Sequence, residues 1–454
     1  MPRLISSNGK KVVSGQTKIA HVVSGGGMKS LFYQMGVAMC FENKRFRYQG
    51  GLLDSPTEKL LPRHQPGTNI IDMIVGSSAG SEFGIGPALG HSARDMYELF
   101  MSDELLKKRG FARGVWKYID TKWDAVPQLV NFGKAIPKAL GYDGNWRSLR
   151  KVFGHTFSPM DFIRSLNIES MTIKSPFVLT GLERRLDAFL RTDNVFEYKN
   201  DFRWLDCDFF VVTTPLNRTG RIVYSRRPFE ANHRITYRND LKISTAIAAS
   251  SSLQCFHPLR ATHFNGEEVD LVDGETRKTL SYKIAGDNGA DLVFVSYTHV
   301  PFMYDPSRSI ADHGMGHIDV QSLYLMIEEK ILTSKESTEA KNKTYHKVKE
   351  TFERAKRDHP GELEVICEVE KEIMEVMMIG MNMRPGIEYV FINPESTNQD
   401  FFFSPHMYMG QKYIEKMAKQ GYEDAERVLK GYEFRFGLPK DELPFTYKSA
   451  EEKK

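Results

Sequence analysis

Two strand-to-helix turns built on glycine constrain this chain more than anything else in it. The first is VVSGGGMKSLF at residues 22–32. Residues 19–23 (IAHVV) read as a short buried strand, and apolar residues recur at helical spacing through 31–41 (LFYQMGVAMCF). Gly25, Gly26 and Gly27 therefore sit where a strand gives way to a helix. The first N–H groups of a helix have no partner within it, and the positive end of the helix dipole lies behind them. An anion or a developing negative charge is the natural occupant. Nucleotide phosphates fit poorly, because a Walker loop needs G-x-x-x-x-G-K-[ST] and a dinucleotide fingerprint needs G-x-G-x-x-G. Neither spacing is met by Gly25, Gly26, Gly27, Lys29 and Ser30. A plain flexible loop is the remaining alternative.

The second turn lies in IIDMIVGSSAGSEFG at residues 70–84, where Gly76-Ser77-Ser78-Ala79-Gly80 spells G-x-S-x-G after an apolar run. A serine on a tight turn between strand and helix projects its hydroxyl outward. Its flanking glycines are needed because a Cβ would collide with neighbouring backbone. Ser78 is thus a candidate nucleophile, with Gly76 and Gly80 as the glycines of its elbow. Read alone, the motif is also compatible with a merely structural glycine turn.

Together the glycine triplet, the G-S-S-A-G and the later Asp273-Gly274 resemble the patatin-like phospholipases, whose pattern is G-G-G-x-[KR]-G, then G-x-S-x-G, then D-G-[GA]. FFVVTTPLNRTGRIVYS (209–225) and ISTAIAASSSLQCFHPLR (243–260) are also similar to connecting stretches of that family. The resemblance covers roughly residues 18–305. It implies a three-layer α/β/α sheet domain and a lipid acyl hydrolase of phospholipase A type, acting on phospholipid or another acyl-ester lipid without a cofactor. It further implies a Ser78–Asp273 dyad, with backbone N–H groups of Gly25, Gly26, Gly27 and Met28 as oxyanion hole and Lys29 as a candidate headgroup contact. An exposed aspartate, with a pKa of about 3.9, would be a poor base, so the site has to be partly desolvated. A surface lysine at a helix start is an equal reading of Lys29. Two positions depart from the pattern: Ser30 and Glu275 stand where the family has glycine, and glycine or alanine. Asp287, in GDNGAD just before the apolar run 292–297, is a rival for the acid.

Two other classes remain open. An α/β-hydrolase with a Ser-Asp-His triad would draw its histidine from His299, His313, His317 or His406. A catalytically silent lipid-binding or scaffold protein could keep the same fold. His313 and His317 form H-x-x-x-H, which on a helix would put two imidazoles on one face. Gly314 and Gly316 favour a loop with solvated histidines instead, and no metal site is expected.

The chain has 454 residues, enough for one large α/β domain and an extension. Its 62 Lys and Arg against 58 Asp and Glu create no global field for nucleic acid. Cys40, Cys207, Cys255 and Cys367 are scattered and read as reduced, buried thiols. The start of the chain lacks the apolar core of a signal peptide, and no stretch approaches the ~20 apolar residues of a spanning helix. A cytoplasmic protein associated peripherally with membranes is the expectation; a signal for specialised secretion would leave no such mark.

The expected organisation is a tail over 1–17, a catalytic domain over 18–316 with a loop at 44–69, and a mainly helical C-terminal extension over 317–454 that packs on it. Helices are expected over 319–358, 362–380 and 409–432, with a break at His359-Pro360-Gly361. Met374, Met377, Met378, Met381 and Met383 read as flexible core filler. Within 105–151 eleven basic residues, among them Lys107, Lys108 and Arg109, are interleaved with Trp116, Trp123 and Trp146. This segment suits a lid or membrane-docking insertion, since basic side chains attract anionic headgroups and tryptophan favours the headgroup layer. A solvated basic surface with its tryptophans in the core is the alternative.

Overall fold

The computed structural model describes residues 17–55, 69–114, 117–121, 175, 177–192, 200–227, 234–253, 256–303, 315–381, 384, 386–432 and 434. In chain order the strands are β1 (Ile19–Val23), β2 (Phe46–Tyr48), β3 (Asn69–Gly76), β4 (Asp120–Thr121), β5 (Phe177–Val178), β6 (Asp208–Pro215), β7 (Arg221–Tyr224), β8 (Ile235–Arg238), β9 (Leu259–Thr262), β10 (Glu268–Asp273), β11 (Leu292–Ser296) and β12 (Glu388–Ile392). Ten of them form one sheet with the path β12-β11-β1-β3-β6-β10-β9. Its centre, β12 through β6, is parallel; β10 runs antiparallel to β6 and β9. β2 joins β3, and β7 and β8 extend from β6. β4 and β5 make a separate antiparallel pair.

Parallel strands covered on both faces must be apolar on both, and β1 is buried at every residue. Its side chains alternate between two cores. Ile19 and Val23 pack with Leu31, Phe32 and Met35 of helix α1 (Gly27–Asn43) on one face. Ala20 and Val22 pack with Met73, Val75, Val293 and Val295 on the other, under Tyr282 and Ile284 of a short helix (Tyr282–Asp287). The result is the three-layer α/β/α arrangement, with C-terminal helices added to it.

Helix α2 (Ala79–Ala88) follows β3, and helix α3 (Ile243–Ser250) precedes the β9–β10 hairpin. Further on, α4 (Met315–Asp358) and α5 (Leu363–Met381) are separated by a turn of 3₁₀ helix at Pro360–Glu362, where proline cannot continue the hydrogen-bond ladder. Helix α6 (Gln411–Leu429) crosses α1 closely. A Cβ on Gly36 would stand 1.8 Å from Ala418 O, and one on Gly421 2.0 Å from Tyr33 O. The C-terminal segment therefore braces the helix that the glycine triplet opens.

Several expectations need correction. The segment after 316 also contributes a strand to the sheet, β12 beside β11, within its mainly helical course. β2 lies inside the stretch expected to be a loop. α4 begins at Met315, so Gly316 and His317 are helical. Cys40 and Cys207 are buried thiols outside any disulfide, but Cys367 is exposed. Met374, Met377 and Met381 are half-buried rather than core filler, and Val376 and Ile379 on the same helix are 69% and 67% exposed. Residues 1–16, Cys255, Met383, His313, residues 115–116 and residues 122–151 lie outside the described residues.

Candidate active site

Ser78 follows β3 by two residues and adopts φ 53°, ψ −132°. That left-handed backbone costs a non-glycine residue about 1–3 kcal/mol and persists only where its surroundings enforce it. Here the surroundings are visible. A Cβ on Gly76 would stand 2.6 Å from Ser81 Cα, and one on Gly80 2.2 Å from Val23 O at the end of β1. The Ser78 N–H donates to Ser250 Oγ at 2.9 Å, and that hydroxyl in turn donates to Val212 O at 2.6 Å. Ser250, at the end of α3, thus ties the elbow to β6.

Strand register brings the acid to the serine. Gly76 of β3 pairs with Val211 of β6, and two residues further along β6 Thr213 pairs with Asp273 of β10. Asp273 therefore ends its strand at the level Ser78 reaches beyond β3. Its N–H donates to Ser252 O at 2.8 Å. Its Oδ1 accepts the Glu275 N–H at 2.7 Å, while Oδ2 is buried without a hydrogen bond. A Cβ on the following Gly274 would stand 2.2 Å from Val212 O, so only glycine fits the turn. Burial, then the charge of Glu275, pushes the Asp273 carboxyl up to about 7; the Glu275 N–H and the Ser78 hydroxyl oppose the shift. Asp287, the rival acid, has Lys283, Lys278 and Arg221 as its charged neighbours.

The glycine triplet also lies against the serine. A Cβ on Gly25 would stand 2.6 Å from Ser78 Cβ and 3.2 Å from Ser78 Oγ. Gly26 (φ 128°) and Gly27 (φ 65°) carry the chain into α1 through conformations that favour glycine. The N–H groups of Gly26, Gly27 and Met28 begin the helix and have no intrahelical acceptor. The Lys29 N–H is taken by His406 O at 3.3 Å.

The Gly25 N–H has a different partner. It donates to Glu275 Oε1 at 2.7 Å, and the Ser24 hydroxyl donates to the same oxygen at 2.8 Å. Ser24 Oγ also lies 3.2 Å from His299 Nδ1, which is 3.7 Å from Glu275 Oε2. Burial pushes the Glu275 carboxyl up to about 7, against the pull of the Gly25 N–H and the Ser24 hydroxyl.

Lys29 does not reach the surface. It is 0% exposed, with Nζ 3.5 Å from Phe401 O and 4.8 Å from the Phe401 ring centroid. Burial lowers its pKa to about 7. Both the headgroup contact and the surface lysine expected at this position are corrected: α1 turns this side chain under the C-terminal segment.

A cavity of about 360 Å³ opens onto Ser78, Gly27 and Met28 and is walled mainly by apolar side chains, including Leu31, Met35, Ile85, Phe189 and Phe256. Its size and lining suit an acyl chain better than a charged ligand. Glu82, one turn after Ser78, lines it too and accepts from the Ser251 hydroxyl at 2.8 Å. Burial, opposed by that hydrogen bond and assisted by Asp273, pushes Glu82 up to about 7. Of the histidines considered for a triad, His299 contacts Ser24, and His406 Nε2 lies 2.6 Å from Tyr324 Oη. His317, in the first turn of α4, packs on the Phe403 ring at 4.8 Å. Among the described residues no cluster of His, Cys, Asp and Glu is arranged to hold a metal ion, and no helix is long and apolar enough to cross a membrane.

Sequence reasoning missed Ser24, Ser250, Ser252 and Glu82 as parts of this site. The serine run at 250–252 was the available signal, since three consecutive small hydroxyl residues after an apolar helix are suited to satisfying backbone groups of neighbouring turns.

The family model described as Patatin-like phospholipase matches residues 22–285, more than half of the chain, from β1 to the helix before β11. No significant match was found among curated proteins. The matched stretch contains the glycine triplet, the elbow and the Asp-Gly turn that the fold brings together. On that match and this arrangement, the chain belongs to the patatin-like phospholipase family of lipid acyl hydrolases.

Proposed function

We propose that this protein cleaves carboxylic esters of phospholipids or related acyl lipids through a Ser78–Asp273 dyad. The observation that carries the reading is the approach of the Asp273 turn and the glycine triplet to the turn that bears Ser78. The strained turn holds the serine, the Asp273 carboxyl is raised into the range of a useful base at neutral pH, and the glycine triplet packs against the serine.

In this reading the Ser78 Oγ attacks the ester carbonyl carbon as its proton passes to Asp273. The carbonyl π electrons move to oxygen, and N–H groups of the 25–28 loop stabilise the charge that develops there. Each such donor is worth about 3 to 4 kcal/mol in the transition state. Collapse expels the alkoxide, which takes the proton from Asp273. Water, deprotonated by the same carboxylate, then attacks the acyl-serine and releases the fatty acid, restoring the Ser78 hydroxyl. The apolar cavity receives the acyl chain, and exposed Lys107 and Lys108 near its Leu105 wall offer charge to anionic headgroups. The hydrogen bonds of His299 and His406 to Ser24 and Tyr324 favour the dyad over a histidine triad.

Labelling with an alkyl fluorophosphonate, followed by peptide mass spectrometry, tests the assignment. Modification at Ser78 that Asp273→Asn suppresses supports it. Modification elsewhere, or labelling indifferent to Asp273, rejects it.

A further inference from the structure

Glu275 stands at a position where the resembling family carries glycine or alanine, and its carboxylate does something a small residue cannot. One oxygen, Oε1, accepts from both the Gly25 N–H at 2.7 Å and the Ser24 hydroxyl at 2.8 Å. Its Cδ lies 3.6 Å from where a Gly25 Cβ would stand, a point only 2.6 Å from Ser78 Cβ. A loop suited to receiving negative charge is thus already in contact with one, beside the candidate nucleophile. The side chain is also confined: its side-chain exposure is 13%.

We propose that Glu275 is a removable plug of the anion-binding glycine loop, its carboxylate engaging the Gly25 N–H and the Ser24 hydroxyl until an ester carbonyl or a proton takes its place. The inference rests on the Ser78–Asp273 reading. Around Glu275 stand Asp273 from its own turn, Ser24 and Gly25 after β1, His299 after β11 and Tyr324 on α4, with Lys29 of α1 acting on His299. None of these holds Glu275 in a short ion pair; the His299 contact is 3.7 Å long, and burial depresses that imidazole to about 4, so it is neutral near pH 7. The carboxylate is therefore retained by two hydrogen bonds and opposed by its own desolvation and by the Asp273 charge, which is the balance a releasable occupant requires. Protonation of Glu275 weakens its hold on both donors, because a charged acceptor binds an N–H more strongly than a neutral one.

The test compares wild type, Glu275→Ala and Glu275→Gln in two readouts from pH 5 to 9: the second-order rate of Ser78 labelling by a fluorophosphonate, and kcat/KM for a short-chain nitrophenyl ester. Removing the plug is expected to raise both rates about tenfold or more at pH 8, where Glu275 is ionised, and progressively less toward pH 5. The acid limb of both profiles is expected to move to lower pH in either variant, because the like charge that raises Asp273 is gone. Glu275→Gln keeps the size and one acceptor, so its gain at pH 8 is smaller. A cooperatively folded Glu275→Ala protein that reacts no faster than wild type at pH 8 overturns the plug and makes Glu275 a brace of the loop. If that variant fails to fold, Glu275→Gln decides, and an unshifted acid limb with an unchanged rate overturns the proposal equally. Absence of Ser78 labelling in all three proteins would instead remove the dyad reading, and the plug with it.

Discussion

A methyl group on Gly25 would stand 2.6 Å from the Cβ of Ser78, closer than real Cβ atoms approach one another. The missing side chain of one residue is therefore what lets the other occupy its turn. Gly25→Ala should lower kcat for ester hydrolysis about a hundredfold or more, since either Ser78 or the oxyanion loop must shift. Its backbone is not in the left-handed region, so circular dichroism should show a retained fold. Unchanged kcat in this variant would contradict the packing argument. At the next position the outcome differs: Gly26→Val meets both φ 128° and Thr298 Oγ1 at 2.5 Å, and should lower the melting temperature as well as the activity.

Nucleophile and base acting as one unit give losses that do not add. Asp273→Asn should reduce kcat nearly as far as Ser78→Ala, and the double variant little further. His317→Ala should keep wild-type kcat/KM, since this imidazole packs on Phe403. Multiplicative losses in the double variant would show that the two residues act in separate steps.

Much of this was legible from residue order. The IAHVV strand, the helix after the glycine triplet, the elbow strand and the turn at Pro360 are local patterns, and the structure places them within a few residues of where periodicity and punctuation put them. What could not be read depends on long-range neighbours. Glu275 meets Gly25 across 250 residues of chain, and Ser250 meets the Ser78 N–H across 172. The burial of Lys29 follows from Phe401, on the short helix Gln399–Phe402, and Tyr324 of α4 closing over the start of α1, which no local composition encodes. Gly316 misled because glycine is costly in a helix interior, but here it occupies the first turn, where the ladder is incomplete in any case.

Stability should depend on pH through the buried carboxyl at Glu82. Its pKa in the folded protein is raised to about 7, so the folded state holds a proton that the unfolded state releases near pH 4 to 5. The contribution is fully favourable below that unfolded value and is lost as pH rises through 7. Glu82→Gln should therefore raise the melting temperature at pH 8, by up to about 3 kcal/mol in stability, and change it little at pH 4. A destabilised variant at pH 8 would mean that the ionised carboxylate is the form the cavity wall requires.

The exposed Lys107 and Lys108 offer a test of the proposed docking segment. Replacing both by glutamate should reduce binding to vesicles containing phosphatidylserine, at ~1 kcal/mol per basic side chain near the surface, and the effect should fade in high salt. Equal binding by wild type and variant at low salt would dispose of these two residues as contacts while leaving the Ser78 chemistry untouched.

The most direct measurement is a lipid product analysis. Vesicles of phosphatidylcholine and phosphatidylserine are incubated with wild-type protein and with Ser78→Ala, and the lipids are resolved by mass spectrometry. Wild type should give free fatty acid and lysophospholipid in equal amounts and Ser78→Ala neither, although both proteins melt at similar temperatures. Fatty acid release that survives Ser78→Ala, or products cleaved at the phosphodiester instead of the acyl ester, would contradict acyl-ester cleavage by Ser78.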